Sequence, residues 1–196
     1  MLMAIAAVVV IALAAGGYVL EKYSLAVKRD GTVWGWGGYG SVVTGHTATP
    51  VQLAGLSDMT AVAVGWDHAL ALKHDGTVWA WGNNKFGQLG DGTTVDRITP
   101  ARVGLTDVTA LVAGANYSMA LKRDGSVWVW GANDFGKLGL GNAIESNYVT
   151  PTQVKGLVDV VSLTTGGLES FALKRDGTVW AWGANSYGDL GIGTTS

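Results

Sequence analysis

The sequence predicts an all-β fold: β-propeller blades of four antiparallel strands, with about four blades present. Three observations predict it. The string K-[RH]-D-G-[TS]-V-W-x-W-G recurs from Lys28, Lys73, Lys122 and Lys174, at offsets of 45, 49 and 52 residues. Glycine supplies 30 of the 196 residues and proline only 3, which suits frequent tight reversals. Each copy holds several short runs of strand formers, and none shows the 3.6-residue period of an amphipathic helix. Four short strands in a repeated unit of ~50 residues is propeller arithmetic, and β-solenoids have shorter periods. Such small sheets must stack on their neighbours to bury both faces.

The copy around Asp75 shows the elements. Residues 69–73 and 77–81 are strand-forming runs around His74-Asp75-Gly76. Asp-Gly favours φ > 0 at two successive positions, which predicts type I′ hairpin turns at Asp30-Gly31, Asp75-Gly76, Asp124-Gly125 and Asp176-Gly177. Val78 and Ala80 occupy one face of the second strand and Trp79 and Trp81 the other, so both faces are expected to be covered. Residues 59–64 form a third run. A short outer strand is expected at each of Pro50, Pro100 and Pro151, taken as the start of the unit, because proline is tolerated at a sheet edge. Gly65, Gly114 and Gly166 mark a corner before the hairpin. Asp58, Asp107 and Asp159 lie seven residues earlier as expected turn or corner hydrogen bonders.

A glycine-rich loop follows each W-x-W-G: N-K-F-G-Q-L-G-D-G from Asn84, N-D-F-G-K-L-G-L-G from Asn133 and N-S-Y-G-D-L-G-I-G from Asn185. The first copy departs. Its loop from Gly37 is two residues shorter and lacks the asparagine, and Leu20 stands where the corner glycine falls elsewhere. The expected organisation is an apolar N-terminal segment (1–19), a degenerate first blade (20–58), second and third blades (59–107 and 108–159) and a truncated fourth (160–196).

The run L-A-L-K-H-D-G-T-V-W-A-W-G-N-N-K-F-G-Q-L-G-D-G-T-T from Leu70, with its copies, resembles the regulator of chromosome condensation repeat family over about residues 20–196. The resemblance implies part of a seven-bladed ring, with protein binding as the commonest role. The family's eukaryotic namesake is a guanine-nucleotide exchange factor for a small GTPase that docks on chromatin. Other members include a plant ultraviolet receptor and secreted bacterial inhibitors of β-lactamase. Fold transfers within such a family better than function. Chromatin docking uses basic extensions, whereas this chain has a net charge of −2 and no lysine–arginine cluster, so no nucleic-acid partner is expected. Exchange uses loop insertions, and these loops are short and uniform. Ultraviolet sensing needs tryptophans clustered across blades, but Ala115 and Gly167 stand where Trp66 stands in its own copy.

The function expected is a non-enzymatic scaffold for an unidentified protein partner. The alternatives are nucleotide exchange on a small GTPase and a carbohydrate-binding or enzymatic propeller. A chain with 14% charged and 48% apolar residues can form a core, so disorder is not expected. The absence of cysteine removes thiol chemistry and cysteine-ligated metals. No catalytic residue, metal site or cofactor is assigned. The pairs Trp34/Trp36, Trp79/Trp81, Trp128/Trp130 and Trp180/Trp182 invite a sugar platform, but identical placement within strands points to packing. The hairpin aspartates are turn residues. His46, His68 and His74 lack metal-ligand spacing and read as surface or loop residues.

Binding is expected where the copies differ: Trp66, Asp67 and His68; Asn116 and Tyr117; Leu168 and Glu169. A second loop set offers Lys85 and Phe86, Asp134 and Phe135, and Ser186 and Tyr187, whose aromatics are expected to pack their own loops. The run from Leu2 to Ala15 has no polar side chain. It reads equally as a first-blade strand or as a signal segment that would make the protein secreted or cell-surface, and it is short for a stable membrane span. Three arrangements stay open: a fragment of a longer protein, two arcs associating through open blade edges, or a four-bladed unit.

Overall fold

The computed structural model describes residues 8–13, 23–38, 47–141 and 146–195, with only the backbone described at 8–13. The strands form four antiparallel sheets in chain order. The first is β1 (Val8–Leu13), β2 (Tyr23–Lys28), β3 (Val33–Gly37) and β4 (Thr47–Gln52). The second is β5 (Met59–Val64), β6 (His68–Lys73), β7 (Val78–Gly82) and β8 (Arg97–Val103). The third is β9 (Val108–Ala113), β10 (Tyr117–Lys122), β11 (Val127–Gly131) and β12 (Tyr148–Gln153). The fourth has three strands, β13 (Val160–Thr165), β14 (Glu169–Lys174) and β15 (Val179–Gly183). Sheets meet through β1, β5, β9 and β13, the inner strands, to make an open arc of propeller blades. Part of the apolar N-terminal run is β1, paired antiparallel with β2.

Two expectations need correction. The proline strands close each sheet: β8, with Pro100, pairs with β7 of the same copy. The hairpins are also not type I′. Gly31, Gly76, Gly125 and Gly177 have φ of 77°, 80°, 80° and 86°, but their preceding aspartates are not left-handed. Gly76 N–H donates to Lys73 O and Lys73 N–H to Thr77 O, both at 2.9 Å, giving a three-residue loop with glycine in the left-handed position. The cause is Asp75, whose Oδ1 accepts from Thr77 N–H at 3.0 Å and from Thr77 Oγ1 at 2.6 Å. Asp30, Asp124 and Asp176 repeat the pattern, and the hydroxyl bond is the main reason these carboxyls sit below the usual carboxylate range.

The seams between sheets recur. The first N–H of each new inner strand donates to the glycine carbonyl of the previous hairpin: Met59 to Gly31 at 3.0 Å, Val108 to Gly76 at 3.1 Å, Val160 to Gly125 at 3.2 Å. Asp58, Asp107 and Asp159 make this approach possible with left-handed φ of 58°, 60° and 58°. In the third and fourth sheets the second tryptophan of the pair enters the preceding loop: Trp130 Nε1 donates to Gln88 O at 2.8 Å and Trp182 Nε1 to Lys137 O at 2.9 Å. Ser118 and Ser170 donate to the same two carbonyls. Leu70, Val78 and Leu89 of the second sheet pack on Val108, Ala120 and Trp130 of the third. Trp81 and Trp130 are buried in these seams, whereas Trp180 is 53% exposed.

Candidate functional site

Sequential antiparallel strands alternate direction, so the connections at β5–β6 and β7–β8 emerge on one face and the hairpins and Asp58-type turns on the other. Both loop sets singled out above therefore share one face. Asn83 N–H donates to Asp67 O, Ala132 N–H to Asn116 O and Ala184 N–H to Leu168 O, tying the two sets together in the second, third and fourth blades.

The inner set circles the arc's axis. Trp66 N–H donates to Ala115 O at 3.2 Å, and Ala115 N–H to Gly167 O at 3.0 Å. Trp66, Asp67, Asn116, Leu168 and Glu169 are partly exposed there. The other two expected contact residues are not accessible, since His68 and Tyr117 are both 0% exposed. Each opens the second strand of its blade and crosses to the next sheet over the corner glycine. The side chain at this position occupies the space that a Cβ on Gly65 or Gly114 would need, which explains the glycine three residues earlier.

Tyr117 Oη lies 2.7 Å from Ser170 Oγ and donates to Glu169 O at 2.9 Å. Tyr23 Oη donates to His68 O at 2.7 Å. Burial raises the pKa of both phenols. His68 Nε2 lies 2.9 Å from Ser118 Oγ. The serine proton is already given to Gln88 O, so His68 Nε2–H is the donor. Burial holds its pKa down at about 4. His68 is therefore a seam residue, and the surface reading fails because its side chain crosses between blades. His74 is exposed as expected, and His46 lies outside the described residues.

The outer set is built around an asparagine. Asn84 Oδ1 accepts from Leu89 N–H at 3.0 Å, and its Nδ2 donates to Thr93 O at 3.0 Å and Val95 O at 3.1 Å. Asn133 and Asn185 accept from Leu138 and Leu190 in the same way, both at 3.1 Å. The asparagine fills the loop interior, so the aromatic two residues on turns outward. Phe86, Phe135 and Tyr187 are 38%, 60% and 92% exposed, which corrects the expectation that they pack their own loops. Phe135 is also held at φ 59°, a conformation that bulky side chains rarely adopt. Beside it, buried Lys137 pairs with Asp134 at 2.8 Å and lies 5.5 Å from the Tyr117 ring centroid. The repeated asparagine was visible in the sequence. Its role was not read from it.

Among the described residues no cluster of His, Cys, Asp or Glu is arranged to hold a metal ion. No helix among them is long and apolar enough to cross a membrane. The face offers aromatic tips, backbone groups and isolated charges, which is the chemistry of contact.

Sheets joined by recurring seams around one axis, with sequence variation gathered on one loop face, define a repeat β-propeller. The chain belongs to the Regulator of chromosome condensation (RCC1) repeat family. Profiles of this repeat match residues 75–121 and 124–173 and, in a second form, 59–88, 108–137 and 160–189. The chain is 31% identical over 179 residues to the Ultraviolet-B receptor UVR8 of Arabidopsis thaliana, covering 88% of this chain and 30% of UVR8. Among solved structures it is similar to Prp20p from Saccharomyces cerevisiae, a protein described for its binding to Gsp1p and histones. That likeness has a TM-score of 0.78 and 23% identity over 88% of this chain and 45% of Prp20p. Human WBSCR16 gives a TM-score of 0.75 and 21% identity over 83% and 45%. Likeness at these identities establishes fold. The chain spans less than half the length of each of these three relatives.

Proposed function

We propose that the chain is a non-enzymatic protein-interaction scaffold and that its loop face makes the contact. The observation carrying this reading is the outward aromatic at the same loop position in three successive blades, Phe86, Phe135 and Tyr187. Exposed aromatics beside charges are what protein hot spots use. Phe135 is held in the left-handed region at φ 59°, which costs roughly 1–3 kcal/mol for a bulky side chain. Trp66, Asp67, Asn116, Leu168 and Glu169 extend the same face toward the axis. The binding of Prp20p to Gsp1p and histones supports a contact role for this fold, while the exchange reading gains nothing from these short loops.

The test compares capture by the chain with capture by the double variant Phe135→Ser/Tyr187→Ser, whose changed side chains lie in solvent and leave the core intact. A variant of the opposite face, His74→Ala/Arg123→Ala, serves as the control. Quantitative mass spectrometry of proteins retained from the native cell should show a discrete set held by the wild type and the control and reduced at least tenfold by the aromatic variant. Equal retention by all three, or nothing above the empty matrix, overturns the reading.

A further inference from the structure

The fourth sheet repeats the hairpin and loop register of the surface that the second and third sheets bury, and among the described residues nothing covers it. A Cβ on Gly76 or Gly125 would touch the next sheet's aspartate, and one on Gly90 or Gly139 would touch the Trp130 or Trp182 indole. The counterparts Gly177 and Gly191 would meet no described atom within 4 Å. Asp189 stands where Gln88 and Lys137 stand, so its carbonyl is the counterpart of the one that accepts a serine hydroxyl and an indole N–H at the two completed seams. Leu173, Val179 and Ile192 are exposed on this blade and its loop. Repeat arrays keep an end blade in water by giving it a polar outer face; here Ser162, Thr164 and Glu169 stand where Ala110, Val112 and Tyr117 stand one blade earlier, beside the exposed apolar Leu173, Val179 and Ile192.

The first sheet carries the complementary half. Val8 pairs with Lys28 as Met59 pairs with Lys73, so the Val8 N–H has the register of the group that donates to a hairpin glycine. Ser24 pairs with Trp36 as Ser118 pairs with Trp130 and Ser170 with Trp182. That serine–tryptophan couple is what grips the loop carbonyl at the second and third seams. We infer that the flank of the fourth sheet docks the first sheet of a second copy of this chain. In the contact, Val8 N–H donates to Gly177 O, and Ser24 Oγ and Trp36 Nε1 donate to Asp189 O. It is head-to-tail, and it continues an interface that the chain already makes three times within itself.

Sedimentation velocity on the 196-residue chain from ~1 μM to ~1 mM tests it. The expected result is conversion of a 20.3 kDa species to multiples of that mass as concentration rises. Val179→Lys on the flank and Ser24→Lys on the first sheet should each weaken association at least tenfold. Val179 is exposed, so the far-ultraviolet circular dichroism of its variant should not change. An equimolar mixture should pair again, because each variant keeps one intact half. A monomer over the whole range overturns the inference. Association undiminished by either lysine overturns it as well.

Discussion

Val127 and Val179 occupy one register position in two adjacent blades, each the first residue of the strand that follows a Lys-Arg-Asp-Gly hairpin. Val127 is 0% exposed, packed against the fourth sheet, whereas Val179 is 65% exposed. Gly125 and Gly177 differ likewise: one lies under Asp159 and the other under nothing among the described residues. Burial in this fold is thus conferred by the next blade and not by the repeat's own sequence. The seam between the third and fourth sheets and the flank beyond the fourth are one surface in two states, occupied and bare. The largest effect that separates them is a buried charge. Val127→Lys places an ammonium between two sheets with no partner and should cost about 4 kcal/mol or more, enough to lose cooperative folding. Val179→Lys should stay within about 0.5 kcal/mol of the wild type in dilute solution. Urea unfolding followed by circular dichroism checks both, and similar costs at the two positions would remove the distinction.

The same contrast explains what was legible in the sequence. Strands, hairpin positions and four blades could be read because each depends on local pattern: the alternation through Val78-Trp79-Ala80-Trp81, the Asp-Gly pairs and the glycines of the G-x-L-G loops. The type of hairpin turn could not, because Asp75 is held by a hydroxyl two residues on, and Thr77 is an ordinary strand residue in sequence. The inward course of His68 and Tyr117 was hidden because it depends on the neighbouring sheet. A signal existed in the glycine three residues before each, Gly65 and Gly114, which is explained once a side chain lies across it. The outward aromatics were misread because Asn84, Asn133 and Asn185 take the loop interior that Phe86, Phe135 and Tyr187 were expected to fill. On the candidate face, Trp66, Asp67, Asn116, Leu168 and Glu169 keep at least partial exposure, because the inner loops end at the axis where no blade covers them.

Two occupied seams differ from each other in a way that pH reads. The second sheet crosses to the third with His68, and the third to the fourth with Tyr117. The folded pKa of His68, about 4, lies below its ordinary value of 6.5, so the unfolded chain takes up the proton first. The stability this residue contributes is whole above pH 6.5 and is lost as pH falls towards 4. The slope has a one-proton limit of about 1.4 kcal/mol per pH unit. Tyr117 does not titrate in that window. His68→Tyr, which installs the residue found at this position in the first and third blades, should flatten the stability curve between pH 6.5 and 4. Urea unfolding at a series of pH values measures the slope, and an unchanged slope in the variant would place the titrating group elsewhere.

The smallest effect separates the two glycines. Gly76 and Gly177 have φ of 80° and 86°, so alanine at either pays a left-handed backbone penalty of about 1 kcal/mol. At Gly76 the new methyl would also sit 3.1 Å from Asp107 N and 3.2 Å from its Cα, backbone atoms of the next sheet that cannot rotate away. That adds up to about 1 kcal/mol, whereas at Gly177 nothing described lies within 4 Å. In dilute solution Gly76→Ala should therefore be the more costly, by less than about 1 kcal/mol. If a second copy brings its Val8 against Gly177, that gap should close as protein concentration rises, since the second methyl then meets the same obstacle as the first. Thermal unfolding of both variants over the concentration range of the sedimentation series reads the gap directly. A gap that closes identifies the docked flank with the internal seam, and a constant gap means that Gly177 faces only water.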